Sequence, residues 1–113
     1  MKARNALLGA TPYQIERTLR KLGGDLKTAR LRRNLTSEEV AEKIGTSRFA
    51  VADAEKGKLS TSVAVYAALL WTYGLIDRLA DLADPVKDEE GTTLAMSREP
   101  VRARHRRTLD NDF

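Results

Sequence analysis

Residues 37–56 read SEEVAEKIGTSRFAVADAEK, and the order of residue types in this stretch decides the fold. Thr36 precedes it and Glu39 follows three residues later, which is the pattern of a reciprocal capping box at a helix start. Ser37, Glu38 and Glu39 fill the first turn, where carboxylates suit the positive end of the helix dipole. Val40, Ala41 and Ile44 then make one buried stripe. Gly45 supplies the positive φ that ends this helix. Thr46 or Ser47 caps the next helix, which runs to Lys56 and is closed by Gly57. Two short helices joined so tightly cross at a steep angle, and close contact needs a small residue, here Ala41. Val51 and Ala54, three apart, form the inner face of the second helix and meet Val40 and Ile44.

Upstream, Thr11-Pro12-Tyr13-Gln14 predicts a helix start, with Thr11 as cap and Pro12 in the first turn. Ile15, Leu19, Leu22, Leu26 and Ala29 follow at helical spacing. Gly23-Gly24 interrupts them, and each glycine costs roughly 1 kcal/mol in a helix interior. The segment 12–33 is therefore either one kinked helix or two. Residues 1–10 show no periodicity and are expected to fray. Downstream, a start at Ser60 or Thr61 leads into Val63, Tyr66, Ala67, Leu70 and Trp71, with Tyr66, Leu70 and Trp71 expected in the core. Gly74 breaks that helix, and Leu75, Ile76, Leu79 and Leu82 predict a short last one, stopped by Asp84-Pro85. The expectation is an all-α chain without strands or repeats. Its parts are an N-terminal extension and helix over 1–24, a five-helix domain over 25–83, and a basic, mostly flexible tail over 84–113.

A chain of 113 residues, 42% hydrophobic, fits one compact domain. No apolar run is long enough to span a bilayer, and no signal-peptide pattern opens the sequence, so a cytoplasmic location is expected. With no cysteine, a disulfide framework and a thiolate metal site are excluded. The net charge of +4 is unevenly placed. Residues 1–57 hold 12 Lys/Arg against 7 Asp/Glu, whereas 58–83 hold 2 of each. Residues 84–113 hold 6 against 7, with an acidic stretch Asp84–Glu90 before an arginine cluster Arg98–Arg107. Excess positive charge ahead of residue 58 points to a polyanionic partner.

The stretch Leu35-Thr36-Ser37-Glu38-Glu39-Val40-Ala41, then Ile44-Gly45-Thr46-Ser47, then Glu55-Lys56-Gly57, resembles the phage-repressor, Cro-like (XRE-like) helix-turn-helix family. The likeness covers about residues 25–83 and implies a five-helix Cro/lambda-repressor-like domain, with 37–44 and 47–56 as its second and third helices. It also implies a homodimer on a two-fold symmetric double-stranded operator, with recognition helices roughly 34 Å apart. Carried over to this chain, Ser47, Arg48 and Phe49 open the recognition helix and Ala52 and Asp53 lie one turn on, all as base contacts. Arg48 suits a bidentate contact to guanine, Phe49 a thymine methyl, and Asp53 a cytosine amine or mere repulsion of phosphate. Ser37, at the start of the preceding helix, stands where a longer glutamine often meets phosphate. Arg32, Arg33, Lys43, Lys56 and Lys58 are the remaining phosphate candidates. Arg30 and Glu55 match a pair that forms a structural ion pair in such domains. Leu75, Leu79 and Leu82 are expected to form the dimer seam.

A narrower resemblance, to HipB-like antitoxins of HipBA-type toxin–antitoxin systems, rests on four stretches. These are Leu31-Arg32-Arg33-Asn34-Leu35-Thr36, Tyr73-Gly74-Leu75-Ile76-Asp77-Arg78-Leu79, Ala83-Asp84-Pro85 and Asp88-Glu89-Glu90-Gly91. It implies a protein that represses its own operon and binds a HipA-like Ser/Thr kinase toxin. The alternatives are a stand-alone transcriptional regulator and an adaptor that no longer reads DNA. Arg98, Arg102, Arg104, Arg106 and Arg107 are candidates for contacting toxin or DNA, or they simply solubilise the tail. His105 among arginines is a poor ligand or base, and Asp84, Asp88, Glu89 and Glu90 lack the alternation of a calcium loop. No nucleophile–base constellation or phosphate-cradling loop occurs, so neither enzyme activity nor a cofactor or metal is expected.

Overall fold

The computed structural model describes residues 2–98, with side chains from Ala6 onward. These residues contain helices and no strand. In chain order the helices are α1 (Lys2–Gly9), α2 (Tyr13–Arg32), α3 (Ser37–Ile44), α4 (Arg48–Glu55), α5 (Val63–Thr72) and α6 (Ile76–Ala80). A further helix, α7, covers 89–98. The chain parts into two compact units between Leu79 and Ala80.

The all-α expectation holds, with α2 to α6 as the five helices and α3–α4 as the second and third. The core gathers Leu26 and Ala29 from α2, Val40 and Ala41 from α3, Val51 and Ala54 from α4, and Tyr66 and Leu69 from α5, with Tyr73 at its edge. Leu26, Leu69, Val40 and Val51 are fully buried, each worth about 1.5–3 kcal/mol of transfer free energy. Helix α4 lies at the centre, packed on α2, α3 and α5.

Several sequence expectations need correction. Residues 2–9 are helical: Ala, Leu, Lys and Arg favour a helix locally even without an apolar stripe. Thr11 does not cap α2. The cap position falls to Pro12, and the Thr11 hydroxyl donates back to the Leu7 carbonyl at the end of α1. Across Gly23-Gly24 the backbone stays helical, so α2 is one helix that runs through the boundary drawn between 24 and 25. Gly23 is there for packing: a Cβ would sit 2.5 Å from the Ala54 carbonyl oxygen and 2.6 Å from the Gly57 nitrogen. Helix α5 starts at Val63, later than expected, with the Ser62 hydroxyl accepting from Ala64 N–H at 3.0 Å. The chain is still turning at Thr61, whose N–H reaches the Lys58 carbonyl at 3.2 Å.

Trp71 is exposed and Leu69 takes the core position instead. The Lys43 ammonium stands 6.0 Å from the centre of the Trp71 ring. Helix α6 ends at Ala80, so Leu82 lies beyond it, exposed, in the second unit. Within the segment expected to be mostly a tail, residues 84–98 include turns and α7, which the sequence reading did not foresee. The Asp84 carboxylate accepts from Val86 N–H, and Asp88 caps α7 by accepting from Gly91 N–H at 3.0 Å. The acidic run that marks a tail by composition also supplies a helix cap and a negative first turn.

Candidate nucleic-acid interface

The α3–α4 pair is fixed at its ends by the residues that specify it. Thr36 Oγ1 accepts from Glu39 N–H at 3.1 Å, and the Glu39 carboxylate accepts from Thr36 N–H at 2.8 Å. Gly45 closes α3 in the left-handed region, at φ 79°, while Thr46 N–H reaches back to the Ala41 carbonyl at 2.9 Å. Ser47 caps α4 by accepting from Ala50 N–H at 3.1 Å. The loop between the helices is therefore three residues, Gly45 to Ser47, too short for either helix to reorient independently.

The far end of α4 is held from behind. Arg30 donates from Nε to Glu55 Oε2 at 2.7 Å, from Nη2 to Glu55 Oε1 at 3.0 Å, and from Nη1 to the Leu35 carbonyl at 2.9 Å. Both side chains are about nine-tenths covered. The bond to Glu55 raises the Arg30 pKa above its ordinary value, against the desolvation that lowers it. Such a bidentate pair fixes orientation as well as distance. Gly57 completes the anchorage: it adopts φ 71°, and a side chain there would run into the Leu19 backbone of α2.

With its inner face so held, α4 turns its first residues outward. Ser47, Arg48 and Phe49 are all exposed. The Arg48 guanidinium lies 5.2 Å from the centre of the Phe49 ring, and its Nη1 is 3.9 Å from Glu38 Oε1 on α3. Ala52 and Asp53, one turn on, are half-buried. Asp53 stands 3.7 Å from Lys58 Nζ, so the two residues assigned to a base and a phosphate contact face each other. Glu38, Glu39 and Glu42 line an open groove with Thr36, Ala41, Thr46 and Arg48. This acidic wall beside the first turn of α4 was not singled out by the sequence reading, although all three glutamates stand in the decisive stretch.

The other candidates are scattered around this face. Ser37 is half-buried at the start of α3, and Arg32, Lys43 and Lys56 are exposed. Arg33 folds back onto its own unit instead. Its Nη1 donates to the Ala29 carbonyl at 2.9 Å and its Nη2 to the Tyr73 carbonyl at 3.0 Å, with the guanidinium 5.3 Å from the Tyr73 ring centre. That role was missed because the partner lies 40 residues away and is a backbone oxygen. Leu75 packs against the core and Leu79 is half-buried. Arg98 is exposed on α7, while Arg102, Arg104, Arg106 and Arg107 lie outside the described residues. Among the described residues no helix is long and apolar enough to cross a membrane, and no three potential metal ligands cluster.

No curated protein and no solved structure matches the chain closely enough to support a comparison. A family match does exist: residues 21–83, more than half of the chain, fit the helix-turn-helix domain. That span takes in the second half of α2, the whole α3–α4 pair and the two helices that follow. With α4 buried on one side by α2, α3 and α5 and bare at its first turn, the chain belongs to the helix-turn-helix domain family, a DNA-binding architecture.

Proposed function

We propose that the protein is a dimeric, sequence-specific DNA-binding antitoxin, which represses its own operon and neutralises a HipA-like Ser/Thr kinase toxin. The observation that carries the DNA half is the division of α4. Its inner face is locked by Val51, Ala54 and the Arg30–Glu55 pair, and its first turn presents Arg48 and Phe49 to solvent. In this reading α4 enters the major groove, with Ser47, Arg48, Phe49, Ala52 and Asp53 nearest the bases. Ser37, Arg32, Lys43, Lys56 and Lys58 set its bearing on the phosphates. Arg33 contributes less, because two of its donors already serve the fold. Of the leucines expected at the dimer seam, Leu79 and the face of Leu75 not spent on the core serve it in the first unit, and Leu82 is assigned to it from the sequence alone. The antitoxin half is supported by the HipB-like stretches of sequence and by a second compact unit beyond Leu79, which the α3–α4 pair does not include.

The test is a gel shift on the protein's own upstream DNA, with Arg48→Ala beside it. Loss of a bidentate base contact should cost about 1–3 kcal/mol on the cognate site and relax specificity. Equal binding of both proteins would remove Arg48 from the reading set. A kinase-sized reading frame next to this one, whose product co-purifies with the chain, is expected. DNA binding without such a neighbour marks a stand-alone regulator instead.

A further inference from the structure

We propose that Arg48 and Phe49 act as a single reading unit, selecting a guanine whose neighbouring base pair carries a C5-methylated pyrimidine. This rests on the DNA reading above and gives it a ligand chemistry. Successive residues on a helix normally diverge, yet the Arg48 guanidinium comes to 5.2 Å from the Phe49 ring centre. At that range a guanidinium is attracted to the ring face. Its hydrogen-bonding nitrogens lie around its planar edge, and an edge is what the O6 and N7 of guanine require. Glu38, reaching across from α3 to within 3.9 Å, flanks the same guanidinium from another helix. The Arg48 guanidinium thus has two neighbours, the Phe49 ring and the exposed Glu38 carboxylate.

Phe49 is 68% exposed, an unfavourable position for a phenyl ring with only one cation beside it. The major groove offers one apolar feature, the C5-methyl of thymine, which 5-methylcytosine shares. Because ring and guanidinium are in contact, the methyl that Phe49 covers must belong to a base pair next to the guanine that Arg48 holds. Phe49 is the exposed apolar side chain on this turn, whereas Ala52 is smaller and half-buried and Asp53 faces Lys58 at 3.7 Å. The selected step is thus a T·A or 5-methyl-C·G pair adjoining a G·C pair.

The experiment starts from random-sequence duplexes, from which the full-length protein should enrich sites holding that step in each half. In the enriched duplex, thymine at the step is replaced by uracil, which removes the methyl and nothing else. Binding of the wild type should weaken about fourfold for each half-site, the factor expected for one buried methyl. Changing cytosine to 5-methylcytosine at the same place should strengthen binding by a similar factor. Phe49→Ala, an exposed position whose helicity is checked by circular dichroism, should bind the thymine and uracil duplexes equally. Arg48→Ala should lose the guanine preference and, because the ring loses the guanidinium beside it, much of the methyl effect as well; a full methyl effect in Arg48→Ala marks two independent readers and overturns the unit. Equal wild-type binding to thymine and uracil duplexes, or a methyl effect that survives Phe49→Ala, overturns the reading unit while leaving DNA recognition intact. Failure to enrich any sequence overturns the DNA reading itself, and this proposal with it.

Discussion

Tyr66 and Tyr73 are both nearly covered, at 6% and 4% exposure, yet they stand in opposite circumstances. The Tyr66 hydroxyl donates to the Lys58 carbonyl at 2.8 Å and so ties the α4–α5 loop to the core. The Tyr73 hydroxyl is buried with no hydrogen-bond partner among the described residues. Tyr66→Phe should therefore lower stability by about 0.5–1.5 kcal/mol, whereas Tyr73→Phe should leave it unchanged or raise it by about 1 kcal/mol. Chemical denaturation of the two variants checks the contrast. Burial also pushes both phenols above their ordinary value of 10.0. A raised phenol pKa means that the folded state keeps its proton longer than the unfolded chain does. The stabilisation is complete below about pH 10 and drains away as pH rises past it. Thermal melts between pH 8 and 11 should fall at the alkaline end, and less steeply in Tyr73→Phe. The Arg30–Glu55 pair obeys a different rule. Burying two charges brings little net stability, but removing one leaves the other stranded, at a cost of about 3–5 kcal/mol.

Among the elements, α2 shows how one residue type serves two ends. Gly23 and Gly24 are neighbours in the same helix, and both lower its intrinsic helicity. A Cβ at Gly23 would meet the backbone of Ala54, Glu55 and Gly57, whereas at Gly24 it would meet nothing within 4 Å. Backbone atoms cannot swing aside as a flexible side chain can. Gly23→Ala should cost about 1–3 kcal/mol or more, and Gly24→Ala should gain up to about 1 kcal/mol. Comparing the two melting temperatures is decisive, because a purely local propensity effect would move both the same way. The pair also marks what the sequence alone could convey. Thr36, Glu39, Gly45 and Ser47 act within four residues of themselves, so their spacing announced α3, the turn and the start of α4. Gly23 answers to Ala54, some thirty residues away, and reads in isolation only as a helix breaker. Trp71 and Leu69 pose the same problem. Nine of the ten residues of α5 are apolar and none is charged, so periodicity could not say which side faces inward. Contact with α3 and α4 made that choice.

At the scale of the whole molecule, the division between Leu79 and Ala80 separates the reading pair from the segment with the acidic run and α7. The helix at 89–98 was not foreseen because the sequence reading leaned on apolar periodicity, while the cap at Asp88 is a polar signal. Every core residue belongs to the first unit. Deleting residues 86–113 should therefore leave its melting temperature close to that of the full chain. Operator binding and kinase binding, measured separately on the shortened protein, then assign the second unit to one partner or the other. A loss of kinase binding with DNA binding retained is the expected result. Helix α4 itself has a longer-term consequence. Its anchors at Val51, Ala54 and Glu55 are distinct from the positions turned toward solvent at 48 and 49 and the half-covered ones at 52 and 53. A lineage carrying this scaffold is free to exchange the outward letters without reinventing the scaffold beneath them. On the proposed reading, duplicated copies that differ only at these four positions would drift to separate addresses while keeping one fold.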